Sequence, residues 1–361
     1  MKVEIKISRC LLLLALIPLF EIQGLYYWMP LVFKIVFRVI MVADVLIILA
    51  LYLILINKKN IKINPFVLAF TLFFFYNIFI TSCTSGNVKS AMLCFLPSLG
   101  GVLLLDIFSD RINDFLIVLW RYLFTLVFLN QILIFLFPNG MFKSISIEGY
   151  SQNWLLGYKS SIQYFVLPLF VLSMINNWRE MKMQNMLAIV LCNIQAITSS
   201  NKMLVIGIVI ADVLYLGIKN GGIKKLLNII NVQIAALILN IVFLANVYER
   251  IPLIKYIVED LLHKNLKGSR GRLWSVTITS IFRNPIWGYG KVDDELRYAM
   301  YRIVNHAHNM LLEVLFQGGI IWLAIFFAFN CLVAIPLWKA RNKEKSRIMC
   351  ISLFVLYTMS T

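Results

Sequence analysis

The stretch Ile35-Val36-Phe37-Arg38-Val39-Ile40-Met41-Val42-Ala43-Asp44-Val45-Leu46-Ile47-Ile48-Leu49-Ala50-Leu51-Tyr52-Leu53-Ile54-Leu55-Ile56 decides the fold. Only Arg38 and Asp44 interrupt its apolar side chains. As a helix it would rise ~33 Å, enough to cross the ~30 Å hydrocarbon core of a bilayer. A strand of a membrane barrel would alternate apolar and polar residues, which this run does not. In lipid every backbone polar group must be satisfied internally, so the helix is the spanning element that remains.

Comparable runs lie at 10–28, 66–83, 91–108, 115–137, 160–175, 186–198, 203–218, 226–247 and 320–337, and a last one opens at Ile348. Of the 361 residues, 61% are apolar and 14% charged, and the mean hydropathy is +0.83. That apolar content suffices for about eleven spans of ~20 residues and is more than a soluble fold can bury. We therefore expect an all-α polytopic helical membrane protein, with about 10–12 spans and one large external loop in its C-terminal half. Residues 1–247 would form a bundle of about nine spans, 248–319 the loop, and 320–361 a span and an incomplete last one. The run from Ile348 ends at Thr361, and as helix it would rise only ~21 Å, so we expect the span to continue beyond the given sequence.

The formal net charge is +17, and the basic residues divide into two sets. Lys58, Lys59 and Lys62, then Arg111, Arg179 with Lys182, Lys219 with Lys224 and Lys225, and the cluster from Lys339 to Arg347 fall on one side if the N-terminus is cytoplasmic. This satisfies the positive-inside rule. The protein is then expected in the cytoplasmic (inner) membrane, multi-pass, with the loops 138–159 and 199–202 and the long segment 248–319 external. Lys2, Lys6 and Arg9 precede the first run without a small-x-small cleavage pattern, so that run reads as a retained span. Cys10, Cys83, Cys94, Cys192, Cys331 and Cys350 form no CxxC pair and read as packing residues.

The second basic set lies in the long external segment, which also holds His263, His306 and His308. Guanidinium forks suit phosphate and diphosphate oxygens. One element there is Gly268-Ser269-Arg270-Gly271-Arg272-Leu273-Trp274, leading to Arg283-Asn284-Pro285-Ile286-Trp287-Gly288-Tyr289-Gly290. Its flexible helix entrance favours an anion, although a helix cap and a Pro/Gly turn read the same way taken alone. Another is His306-Ala307-His308-Asn309 before Leu311, Leu312, Glu313, Leu315 and Phe316, closed by Gly318-Gly319. A helix beginning near His308 puts Asn309 and Glu313 on one face, and the glycines would hinge it onto the next span. His308 at a membrane edge has the ordinary range of a general base. His-x-His has no third metal ligand at a recognisable spacing, so no metal is expected. A further element, Thr198-Ser199-Ser200-Asn201-Lys202, offers a cation between two short runs, where snorkelling is the alternative.

These residues resemble the superfamily of O-antigen ligases and of O-antigen and capsular polysaccharide polymerases. The resemblance rests on Ser199–Lys202, on Arg272 with Trp274, on Pro285, Gly288 and Gly290, and on His308-Asn309 with Leu312, Gly318 and Gly319. One departure is Lys202, which stands where the family usually has Arg and offers a point charge instead of a fork. The resemblance implies a membrane glycosyltransferase. It would polymerise oligosaccharide repeat units carried on polyprenyl diphosphate, usually undecaprenyl diphosphate, into O-antigen, capsular polysaccharide or exopolysaccharide at the outer face of the membrane. It further implies metal-independent, inverting transfer with no cofactor: His308 as catalytic residue, and Arg272, Lys202, Arg270 and Asn309 as substrate-binding residues. Asn309 would order the histidine or contact a sugar. Partners would be the lipid-linked oligosaccharide, membrane lipids, a chain-length regulator and a flippase.

A ligase moving a finished glycan onto a lipid core shares the donor chemistry and is the alternative within the family. A lipid-linked oligosaccharide flippase or transporter is the alternative outside it, but repeated halves and interrupted midplane helices are not evident. The cytoplasmic basic residues form only short topological clusters, which argues against nucleic acid.

Overall fold

The computed structural model describes residues 8–28, 31–58, 63–84, 86–146, 149–176, 182–219, 221–244, 256, 271–301 and 307–359. Its helices are α1 (Arg9–Leu16), α2 (Leu25–Trp28), α3 (Val32–Asn57), α4 (Pro65–Cys83), α5 (Val88–Ile107), α6 (Ile112–Leu136), α7 (Gln163–Asn176), α8 (Lys182–Thr198), α9 (Lys202–Lys219) and α10 (Ile229–Leu244). They continue with α11 (Gly271–Arg283), α12 (Asp294–Tyr301), α13 (Met310–Lys339) and α14 (Glu344–Met359).

Helix α3 shows why these are membrane helices. Met41, Val45, Ile48, Tyr52 and Leu55 form a buried stripe at alternating spacings of four and three, as one packed helical face requires. Ile35, Val36, Val39, Ile40, Leu46, Ile47, Leu53 and Ile54 face outward and are exposed. So much outward apolar surface is costly in water and at home among acyl chains. Among the described residues, five helices are long and apolar enough to cross a bilayer: Lys34–Asn57, Pro65–Cys83, Val88–Ile107, Ser109–Leu136 and Met310–Lys339. Shorter apolar helices accompany them. The chain is an all-α, polytopic integral membrane protein.

It divides into two units, Met1–Ile63 with Leu96–Lys219, and Asn64–Phe95 with Asn220–Thr361. In the first unit the run 10–28 is not a single helix. Ser8 caps α1 by accepting from the amide of Leu11, and Pro18 then tightens the chain into a 3-10 turn at Ile17–Leu19. Gly24 follows, its amide on the carbonyl of Leu155 at 2.9 Å, so close that a Cβ would lie 2.3 Å from the oxygens of Trp154 and Leu155. The loop 138–159 holds a small antiparallel sheet, β1 (Phe142–Ser146), β2 (Gly149–Trp154) and β3 (Gly157–Tyr158), with Phe142 opposite Asn153 and Asn153 opposite Tyr158. The Trp154 indole donates to the carbonyl of Phe137 at 2.8 Å, and Asn130 accepts from the amide of Leu156 at 3.0 Å, so the sheet is tied to the end of α6.

In the second unit α13 packs along α4. Trp322 stacks on Phe73 with ring centroids 4.4 Å apart and donates to the Phe73 carbonyl at 3.1 Å. Helix α13 is broken at Gly319, which takes φ 62° and ψ −162°, a conformation closed to side-chain-bearing residues. The hinge expected at Gly318-Gly319 is therefore present, and the helix begins where the His308-Asn309 motif placed it.

Candidate active site

The break at Gly319 frees backbone groups that a continuous helix would pair internally, and each must find another partner. The carbonyls of Phe316 and Gln317 accept from the amides of Tyr289 and Gly290 at 2.9 and 2.7 Å, while the amide of Ile320 donates to Pro285 at 2.8 Å. The Pro-x-x-Gly-x-Gly turn is thus stitched onto the interrupted helix. Gly288 and Gly290 sit at φ 71° and 69°. A Cβ on Gly288 would meet the Gln317 carbonyl carbon at 2.6 Å, so glycine is required there for close approach as well as conformation. Tyr289 packs on Phe316 and donates its hydroxyl to the carbonyl of Ser280 at 2.8 Å, and burial pushes its phenol above the usual range. On the other side, Lys291 donates its amide to Thr81 at 2.9 Å and accepts from the amide of Asn87 at 2.7 Å.

Eleven residues before the break lies His308, carried on a turn. Ala307 is buried, its carbonyl accepting from the Trp274 indole at 2.9 Å and its amide donating to Glu313 at 2.8 Å. Asn309, 3% exposed, is the N-cap of α13: its Oδ1 accepts from the amide of Leu312 at 3.1 Å, and its Nδ2 donates to Asn240 at 2.8 Å. Between these two anchored neighbours His308 is exposed and adopts φ 51°, unusual for a residue with a side chain. The turn therefore presents an imidazole outward from a fixed base.

Arg272 is exposed in the first turn of α11, two residues before Trp274 on the opposite helical face. Trp274 packs with Ala307, Leu312 and Phe316. Its bond to Ala307 joins the start of the arginine-bearing helix to the histidine-bearing turn. Arg270, with Gly268, Ser269, His263 and His306, lies outside the described residues. In the first unit, Ser200 at φ 54° turns the chain into α9, Asn201 accepts from the amide of Leu204 at 3.2 Å and donates to the Lys159 carbonyl at 2.8 Å, and Lys202 is the exposed first residue of α9. Among the described residues, no three side chains of His, Cys, Asp or Glu converge as metal ligands would.

Sequence reasoning missed the groups that hold the turn. Arg297, 1% exposed, grips Glu313 with both terminal guanidinium nitrogens at 2.7 and 2.8 Å and lies 4.4 Å over the Phe316 ring. Gln317 donates to the same carboxylate and accepts from Asn77 at 3.3 Å. Asn77 and Asn240 are polar residues within apolar runs, the signal that announces a buried partner without saying which.

Residues 185–327, about two fifths of the chain, match a protein-family model described as O-antigen ligase. No curated protein and no solved structure matches. The matched stretch contains Lys202, Arg272, the glycine turn, His308 and the break at Gly319.

Proposed function

With this domain of the O-antigen ligase superfamily as premise, we propose that the chain is a membrane glycosyltransferase that polymerises polyprenyl diphosphate-linked oligosaccharide repeat units. The observation that carries the reading is the His308 turn: an exposed imidazole on a buried, hydrogen-bonded base, joined through Trp274 to the helix that bears Arg272. In the proposed step the oxygen of an acceptor sugar hydroxyl attacks the anomeric carbon of the donor. The bond from that carbon to the diphosphate oxygen breaks, its electron pair leaves with the polyprenyl diphosphate, and the hydroxyl proton passes to His308. Attack opposite the leaving group inverts the anomeric centre.

Arg272 stabilises charge on the departing diphosphate, the task for which a planar fork of donors is suited. Arg270 and Lys202 are proposed as further anion contacts on their own motifs. Asn309, its amide committed to Asn240 and to the helix cap, orders the turn and leaves sugar contact to other groups. The description of the matching family favours one second reading, in which the same donor chemistry delivers a finished glycan to a lipid core as a ligase would.

The test uses the purified full chain in nanodiscs, given lipid-linked saccharides extracted from a strain lacking the gene. Longer lipid-linked glycans and free polyprenyl diphosphate are expected from the wild type, and only a small residue of either from His308→Ala or Arg272→Ala. Undiminished polymer from either variant overturns the assignment.

A further inference from the structure

We propose that Glu313 and Arg297 are positioning residues that act through His308, an inference resting on the reading of His308 as the proton acceptor. A carboxylate offers about four acceptor positions. Those of Glu313 receive Arg297 Nη1 and Gln317 Nε2 at Oε1, and Arg297 Nη2 and the Ala307 amide at Oε2. With its acceptor capacity filled by donors, Glu313 is not placed to take the proton of a substrate. It is instead the point where a buried ion pair holds the backbone one residue before His308.

The need for such an anchor follows from the backbone of His308. A left-handed conformation at a residue with a side chain is strained and persists only where surrounding contacts over-determine it. Those contacts are the two bonds on Ala307, from Trp274 and to Glu313, and the two on Asn309, to Asn240 and from Leu312. Arg297 in turn fixes Glu313 by a two-pronged bond that lysine cannot reproduce. Release the Ala307 amide, and His308 relaxes toward negative φ and turns its imidazole away from the reacting hydroxyl. A displacement of ~1 Å at a reacting group costs roughly 100-fold in rate.

The experiment measures steady-state rates with the extracted lipid-linked saccharides on purified full-length Glu313→Gln, the double variant Arg297→Met with Glu313→Leu, and Trp274→Phe. Each is made with and without His308→Ala. The double variant removes both charges together and avoids stranding a buried one, and Trp274→Phe keeps the ring while losing one bond to Ala307. Expected are kcat falls of about 100-fold for the Glu313 variants and about tenfold for Trp274→Phe, with KM within about threefold. No further loss is expected from any of them in the His308→Ala background, read with radiolabelled donor over hours. Wild-type kcat in folded Glu313 variants or in Trp274→Phe, or an equal loss with and without His308, overturns the positioning role alone. Full activity of His308→Ala overturns the functional reading beneath it.

Discussion

Gly319→Ala is the sharpest test of the broken helix. The added Cβ would lie 2.1 Å from the oxygen and 2.3 Å from the carbon of the Ile286 carbonyl, and 2.7 Å from the amide nitrogen of Trp287. All three are backbone atoms, so no side chain can swing aside. The conformation itself adds about 1–3 kcal/mol of strain for alanine. If the turn retreats to relieve the clash, it forfeits the bonds from Tyr289, Gly290 and Ile320, worth about 1 kcal/mol each. Together these predict a loss of about 4–6 kcal/mol, a fall in Tm on the order of 10 °C. The control is Gly101→Ala within α5, where a Cβ meets nothing within 4 Å and alanine favours the helix by roughly 0.5–1 kcal/mol. Thermal unfolding of the purified proteins in one detergent measures both. A Gly319→Ala protein as stable as the wild type, beside a Gly101→Ala protein that is not, would refute the argument.

Asn309→Ala removes a helix cap worth about 1 kcal/mol and strips the buried Asn240 of its donor at a further cost of about 1–3 kcal/mol, so its Tm should fall clearly. A second alanine at Asn240 should then cost less than it does alone, as a double-mutant cycle will show. Arg272→Lys keeps the charge but loses the fork, and its polymer yield in a complemented deletion strain should lie between those of the wild type and Arg272→Ala. Arg9→Ala breaks an exposed contact with Asp114 at 2.8 Å, and thermal unfolding should register no change beyond about 1 kcal/mol.

The membrane architecture was legible because lipid demands what sequence displays plainly, a continuous apolar run, as at 35–56. The hinge at Gly318-Gly319 and the helix start at Asn309 were legible for a related reason, since glycine and an amide cap mark backbone positions that few other residues serve. Partners were not legible. Asn309 meets Asn240, 69 residues away, and Tyr76 donates to the carbonyl of Gly318 across 242 residues, contacts that only the packed helices bring about. Glu313 was read as a helix-face neighbour of Asn309, but its grip on Arg297 and on Ala307 depends on how α12 packs beside the start of α13. In the first run, Pro18 and Gly24 carried the breaks that the apolar average across 10–28 concealed. The sheet within 138–159 was hidden because strand pairing is a relation between segments, which neither strand announces alone.

Repeat-unit polymerisation would be visible in the glycolipid pool of a deletion strain. Mass spectrometry of the extracted polyprenyl diphosphate glycans should find single repeat units accumulating, with the pool returning to long chains when the wild-type gene, but not the His308→Ala gene, is restored. Accumulation of long, unligated chains in the deletion strain would contradict polymerisation and assign the protein to ligation instead.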